Sequence, residues 1–252
     1  VSGAGNPSAC AAFAAREGGA GVIMLEPAPI EECGGNSRYT AGAMRVVFNG
    51  VDDLVQLYDL TDDEKKNVDF GTYTKDQYFD DMGRITNFRT DPDLCEILVN
   101  SSFETMVWMR KKGVKFQPSY GRQAFKVDGR FKFWGGLAVE TWGGGPGLVE
   151  NEHKACAREG ITIYYETPLT ALLTEDNGTV YGVRAKHKGR NVEIRAKSVV
   201  LACGGFESNA EMRARYLGPN WDLAKVRGTR FNTGAGIRAA LDAGALPFGH
   251  WS

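Results

Sequence analysis

Histidine is scarce in this 252-residue chain, which carries only three, at positions 153, 187 and 250. They are scattered, with no acid/His cluster at ligand spacing, so no metal centre is expected. Cysteine is limited to Cys10, Cys33, Cys95, Cys156 and Cys203, an odd number with no Cys-x-x-Cys pair. That pattern suits neither a zinc site nor a disulfide framework, and the five read as reduced, mostly buried residues of a cytoplasmic protein. A charge excess is missing too: 30 basic against 31 acidic residues leave a net charge of −1. Nothing in that balance calls for nucleic acid or an anionic membrane as partner. No apolar run approaches the roughly 20 residues that a membrane-spanning helix needs. There is no initiator Met, no visible signal peptide, no internal repeat and no low-complexity linker. A hydrophobic content of 42% supports a proper core, and the length suits one large or two small domains.

Glycine, by contrast, is abundant, and its first cluster carries the most information. Gly3-Ala4-Gly5 stands where a strand would turn into a helix. Gly3 can take a tight turn, and Gly5 has no Cβ to obstruct a pyrophosphate. The amides and dipole at the start of the next helix favour that anion. The third position of the Gly-x-Gly-x-x-Gly pattern is Ser8, followed by Ala9, both small enough for close helix–strand packing. Ala11 to Glu17 reads as a small-residue helix stopped by Gly18-Gly19, and Gly21 to Leu25 as a buried parallel strand. Glu26 ends that strand, 21 residues after Gly5, where an acid accepts hydrogen bonds from an adenosine ribose. An acid there disfavours a 2′-phosphate, so FAD or NAD fits better than NADP. Only Val1 and Ser2 precede Gly3, too few for a full strand, so the chain reads as a piece of a longer protein.

Further along, a loop from Pro27 to Gly50 contains Gly34-Gly35-Asn36-Ser37. Helical stretches are expected near 51–60, 74–87 and 92–112, the last with Asp91-Pro92 at its start and Gly113 at its end. In it, Leu94, Ile97, Leu98, Phe103, Met106, Val107 and Met109 make an apolar stripe expected to face the core. Residues 114–134 read as a hairpin turning at Asp128-Gly129. The run from Gly135 through Gly147 reads as a mobile loop before a helix of about 147–159. Five strands are expected between 161 and 202, with turns at Asn177-Gly178 and Lys188-Gly189, and then helices near 208–217 and 234–243. The fold class is therefore α/β: a Rossmann-like domain with a parallel sheet plus a β-meander, spanning residues 1–252.

Four separated stretches together resemble the FAD-dependent flavoproteins of the fumarate reductase/succinate dehydrogenase family. They are Gly3-Ala4-Gly5 with Glu26; Gly34-Gly35-Asn36-Ser37; Leu201-Ala202-Cys203-Gly204-Gly205-Phe206; and Gly228-Thr229-Arg230-Phe231-Asn232-Thr233-Gly234-Ala235-Gly236. Within that family the second and fourth look most like tricarballylate dehydrogenases, with 3-ketosteroid dehydrogenases a more distant comparison. The resemblance implies that Gly3, Gly5, Ser8 and Ala9 face the pyrophosphate and that Glu26 holds the ribose. It implies that Gly35, Asn36, Ser37, Thr40, Ala41, Gly42 and Ala43 lie along the pyrophosphate and isoalloxazine, where small residues leave the ring open to substrate. Thr167-Pro168-Leu169-Thr170 resembles the segment whose backbone meets adenine, and Leu169 is taken as its contact. Ala202, Cys203 and Gly204 resemble the turn that returns the chain to the cofactor, and Gly234 belongs to the last stretch. Cys203 stands where the family often has Thr, and with no base or partner cysteine nearby it reads as packing. Ala235 replaces the Asp of the family's Thr-Gly-Asp-Gly, which removes one cofactor contact. Asn36 stands near the position of the histidine that membrane-bound succinate dehydrogenases bond to their flavin, so FAD is expected to be non-covalent.

The implied reaction is hydride transfer between flavin N5 and one carbon of a CH–CH bond, coupled to proton transfer at the next. The implied substrates are polycarboxylates, and a separate electron-transfer partner is implied for a tricarballylate-type enzyme. The family's catalytic residues lie in a capping domain and the segment after it. The chain ends at Gly249-His250-Trp251-Ser252, about where that domain would begin. The capping domain and the returning C-terminal FAD segment are therefore expected to be missing, and no catalytic residue is named. Arg38, Arg45 and His250 read as surface or loop charges. Two other readings stand beside this one: a non-catalytic FAD- or NAD-binding module, and a piece unable to fold because its truncated first strand leaves sheet edges unpaired.

Overall fold

The computed structural model describes residues 1–249 and 251. Its packing divides the chain into two compact units, Val1–Thr40 with Glu152–Ser252, and Ala41–Asn151.

In the first unit the α/β expectation is met. Ile23–Leu25 pairs in parallel with Thr162–Tyr164, Ile23 opposite Thr162. The stub of the first strand completes the layer. Ser2 forms parallel bridges to Leu25 on one side and Leu201 on the other. The Val1 amino group donates to the Ile23 carbonyl, Leu25 N–H to the Val1 carbonyl and Ala202 N–H to the Ser2 carbonyl, each at 2.9 Å. Among the described residues, the strand expected over Val199–Ala202 is reduced to that one bridge at Leu201. The helix Asn6–Glu17 follows the loop, with Pro7 in its first turn, where a missing N–H costs nothing. It buries Ser8, Ala9, Ala12 and Phe13.

The meander follows its expected bounds closely. Leu169–Thr174, Val180–His187 and Arg190–Arg195 form an antiparallel sheet with the middle segment at its centre. Lys188 and Gly189, both at positive φ (45° and 84°), make the two-residue turn that matches the twist of such a hairpin. The helix Ala235–Asp242 packs on Leu169–Thr174, and Leu25, Leu169, Val183, Ala185 and Ala239 form a shared core.

In the second unit, Ala43–Met44, Val139–Thr141 and Phe116–Pro118 make a three-stranded antiparallel sheet. Ala124–Val127 and Arg130–Phe133 form the expected hairpin around Asp128-Gly129, and Val68–Asp69 adds a parallel strand. The helix Lys75–Thr86 begins with a capping box from Thr74 and Gln77. The helix Pro92–Lys112 is capped by Asp91, whose Oδ1 accepts from Leu94 N–H at 3.0 Å, and stops at Gly113 with φ 101°.

Three expectations are corrected here. The helix expected over 51–60 is a single turn, Val51–Leu54. The supposed mobile loop at Gly144-Gly145-Pro146-Gly147 is the first turn of the helix Gly144–Arg158. Pro146 suits that turn for the reason Pro7 does, and the Thr141 hydroxyl donates to the Gly144 carbonyl at 2.8 Å. The apolar stripe holds in the second half of the helix, where Met106 and Met109 are buried, and is displaced in the first: Leu94, Ile97 and Leu98 are 67%, 62% and 46% exposed, while Cys95, Val99 and Ser102 are buried. Both sets recur at helical spacing, and the buried one includes a cysteine and a serine, which a purely apolar stripe passes over.

Candidate functional site

Gly3, Gly5, Glu26, Gly35, Asn36, Ser37, Leu169, Ala202, Cys203 and Gly204 converge on one cleft of the first unit, of about 250 Å³. Gly3 explains why the chain can turn there. It has φ 107°, and a Cβ at that position would collide with the Ala202 carbonyl and the Ser8 hydroxyl. A Cβ on Gly5 would stand 3.0 Å from Ser37 Oγ and 3.1 Å from the Gly34 carbonyl. The loop is thus a bare-backbone cradle at the start of the helix Asn6–Glu17.

Ser37 caps that helix from another segment: its Oγ accepts from Asn6 N–H at 2.9 Å. Asn36 turns the other way, its Oδ1 accepting from Thr229 N–H at 3.0 Å, which ties the Gly-Gly-Asn-Ser stretch to the 228–234 stretch. Glu26 is 2% exposed. Its Oε1 accepts from Ala28 N–H at 3.1 Å. Burial pushes its carboxyl up to about 7, against the opposing pull of the Ala28, Ala4 and Gly34 amides. Thr167 N–H donates to the Glu26 carbonyl at 2.8 Å, which carries the chain on to Pro168 and Leu169 at the wall of the cleft.

Ser8 and Ala9 are fully buried and do not line the cleft; the Ser8 hydroxyl donates to the Ala202 carbonyl at 3.1 Å. They pack the helix onto the sheet. The Cys203 thiol points to the Ser2 hydroxyl at 3.1 Å, and burial raises it above the ordinary thiol range, so it is a packed donor. Gly234, at φ 79°, stands behind the wall: its N–H donates to the Gly205 carbonyl at 3.0 Å, and a Cβ would strike Met212 Sδ. Thr40 ends the short helical turn Gly35–Tyr39 and is not part of the cleft lining. Ala41, Gly42 and Ala43 belong to the second unit, where Gly42, at φ 76°, leaves room for Thr141.

Arg45 also lies in the second unit, donating to Asp81 at 2.9 Å and to the Tyr73 hydroxyl at 3.0 Å. That network accounts for it structurally. His250 lies outside the described residues.

The cleft also takes in Ser2, Glu207, Phe231, Asn232 and Thr233, which the sequence reading gave no role. The last three lie in a stretch already singled out by its glycines, so the pattern itself was the available signal. Behind them, Arg213 is 8% exposed and donates to the carbonyls of Glu207, Trp221, Asp222 and Ala224. It gathers the returning chain. Nothing in the sequence marks that role, because every partner is backbone.

A family described as FAD binding domain matches residues 1–250. A probable fumarate reductase, Ifc3, of Shewanella frigidimarina is 30% identical over 97% of this chain and 38% of its own length. The urocanate reductase of Eggerthella lenta is 28% identical over 86% of this chain and 33% of its own. The open conformation of a flavocytochrome c3 fumarate reductase superposes with a TM-score of 0.75 at 26% identity, covering 97% of this chain and 40% of that one. The chain thus spans 33% to 38% of the length of these curated relatives. A bare-backbone loop at a helix start, a buried carboxylate at the end of the adjoining strand and a match along almost every residue agree: the chain belongs to the FAD binding domain family, among the flavoproteins of fumarate reductase/succinate dehydrogenase type.

Proposed function

We propose that this chain is the FAD-binding part of a flavin-dependent oxidoreductase that reduces or desaturates a CH–CH bond of a polycarboxylate, of the tricarballylate or fumarate kind. The observation that carries the reading is the cradle of Gly3 and Gly5 facing Ser37, with the Glu26 carboxylate at the end of the adjoining strand. Those residues fit the adenosine–pyrophosphate half of FAD. Gly3, Gly5 and Ser37 would lie along the pyrophosphate, Glu26 would accept from the ribose hydroxyls, and Leu169 would flank the adenine. Thr40, Ala41, Gly42 and Ala43 would follow the chain toward the ring. When bound, FAD supplies a hydride acceptor and donor at N5.

Non-covalent binding is supported by the cleft's own chemistry. Asn36, which stands near the position of the flavin-bonded histidine of membrane-bound succinate dehydrogenases, offers an amide whose oxygen already accepts from Thr229 N–H. Two relatives carry names that say what they reduce, fumarate and urocanate; both substrates hold a carbon–carbon double bond conjugated to a carboxylate. That shared chemistry supports the CH–CH assignment here. A separate electron-transfer partner and a cytoplasmic setting belong to the same proposal. The five free cysteines suit a reducing compartment. No helix among the described residues is long and apolar enough to cross a membrane.

The test is a visible spectrum of the full protein, before and after denaturation, followed by a dye-linked assay across di- and tricarboxylates, urocanate and a 3-ketosteroid. FAD released on denaturation with turnover of a polycarboxylate is the expected result. Absence of flavin after incubation with FAD overturns the cofactor reading. Flavin with turnover of the steroid alone overturns the substrate class.

A further inference from the structure

Ala4, the middle residue of the Gly3-Ala4-Gly5 loop, is 1% exposed. Its amide acts on the Glu26 carboxyl, favouring the ionised form. Its carbonyl lies 2.8 Å from His153 Nε2. A carbonyl only accepts, so Nε2 carries the ring proton and Nδ1 is the bare lone pair. Nδ1 in turn faces two donors, the Tyr165 hydroxyl at 3.4 Å and the Cys33 thiol at 3.7 Å. Desolvation keeps His153 below the ordinary imidazole range; the Ala4 hydrogen bond opposes it, and Arg38 adds a smaller downward push. The ring is therefore neutral and in one tautomer at pH 7, fixed by partners from three other segments, at Ala4, Cys33 and Tyr165.

The consequence follows from the planarity of the peptide bond. The Ala4 carbonyl and the Gly5 N–H belong to one trans peptide unit and point in opposite directions. Pinning the carbonyl to His153 turns the Gly5 N–H to the other side, toward the cleft that Gly5 lines.

We propose that His153 is a positioning residue of the cofactor loop, which aims the Gly5 amide at the FAD pyrophosphate before the cofactor arrives, with Cys33 and Tyr165 holding its ring in the donating tautomer. This rests on the FAD reading above. It does not require His153 to touch the cofactor.

The experiment compares FAD dissociation constants of the full protein, wild type and two variants, with apo melting temperatures and imidazole ¹⁵N shifts recorded alongside. His153→Leu removes the donor and is expected to weaken FAD binding about tenfold, the effect of one buried hydrogen bond left unmade. His153→Gln keeps an N–H donor and is expected to recover most of that loss. A purely space-filling role would make the leucine variant bind as well as glutamine or better. Unchanged affinity in His153→Leu, or equal losses in both variants, overturns the proposal.

Cys33→Ala combined with Tyr165→Phe leaves His153 in place and serves if the leucine variant does not fold. It is expected to mix the two tautomers in the ¹⁵N spectrum and to weaken FAD binding; a single Nε2–H tautomer with unchanged affinity overturns the proposal. The ¹⁵N signature is read on flavin-free protein. A wild type without FAD affinity would thus count against the FAD reading, while an Nδ1–H tautomer would count against this one.

Discussion

Glu152 is a buried acid with no partner, and replacing it is expected to stabilise the protein by an amount that grows with pH. It is 0% exposed, and neither carboxyl oxygen has a hydrogen-bond partner among the described residues. Burial pushes its carboxyl from 4.5 up to about 8. The ionisable groups facing it are Cys10, from the helix Asn6–Glu17, and Cys156, one turn further along its own helix. Both thiols are pushed up to about 12, by burial first and by the Glu152 charge second. Neither can neutralise it. The sign is that of a raised acid: stability is complete below 4.5 and is lost as pH rises toward 8. At roughly 1.4 kcal/mol per pH unit, the folded state has lost about 3 kcal/mol by pH 7 and under about 1 kcal/mol at pH 5. Urea denaturation of wild type and Glu152→Gln, followed by far-UV circular dichroism at pH 5, 6, 7 and 8, reads this directly. The glutamine keeps the shape and its own buried amide adds a pH-independent offset, so the slope is the signal. Other shifted groups, Glu26 among them, are common to both proteins and cancel. The gap is expected to widen by about 2 kcal/mol between pH 5 and 7. A gap constant across that range would refute the reasoning, since it would mean that Glu152 is solvated or paired in the folded protein.

Gly3→Ala places a side chain at φ 107° and against the Ala202 carbonyl, a combined penalty of about 3 kcal/mol that thermal melting and flavin content should both register. Glu26 sits near 7 without ligand, and ribose hydroxyls favour its ionised form, so FAD binding at pH 7 is expected to release a proton. Titration calorimetry in buffers of different ionisation enthalpy measures that release, and Glu26→Gln is expected to abolish it. Asp91→Ala removes the cap of the helix Pro92–Lys112 and is expected to cost about 1 kcal/mol in urea denaturation, with no effect on FAD affinity.

What could be read from the sequence follows the range of the interactions involved. Leu169–Thr174 and Val180–His187 were legible to the residue, because a period of two, β-branched side chains and turn residues at each end act locally. Gly3, Gly5 and Glu26 were legible because one strand, one turn and one helix fix their separation. The glycine run before Leu148 was misread because glycine speaks against a helix, while the proline in its first turn and the Thr141 hydroxyl favour one through positions that composition does not weigh. The displaced stripe of Pro92–Lys112 shows a second limit: periodicity reports that a face exists, and packing selects which. Arg213 and His153 were invisible as supports for the site because each acts on backbone carbonyls, nearby in sequence for Arg213 and distant for His153, and a carbonyl leaves no trace in the residue code.

The loop alone is a poor anion site, and the structure explains why the Gly-Gly-Asn-Ser stretch accompanies it. Gly3 N–H is committed to the Leu25 carbonyl at 2.7 Å, the Ala4 amide acts on the Glu26 carboxyl, and Pro7 has no N–H to give. Asn6 N–H is taken by Ser37 Oγ at 2.9 Å. A hydroxyl that accepts one hydrogen bond still has its own proton to donate. Ser37 can therefore pass the positive end of the helix into the cleft, one atom further out than the backbone reaches. Its placement depends on the tie from Asn36 to Thr229 N–H, so the stretches around residues 35 and 229 must assemble together for the anion site to exist. The same logic makes Ser8 acceptable where the dinucleotide pattern has a third glycine. Its hydroxyl faces inward to the Ala202 carbonyl, where a small donor fits, and on the proposed reading meeting the phosphate falls to Gly5 and Ser37, which line the cleft.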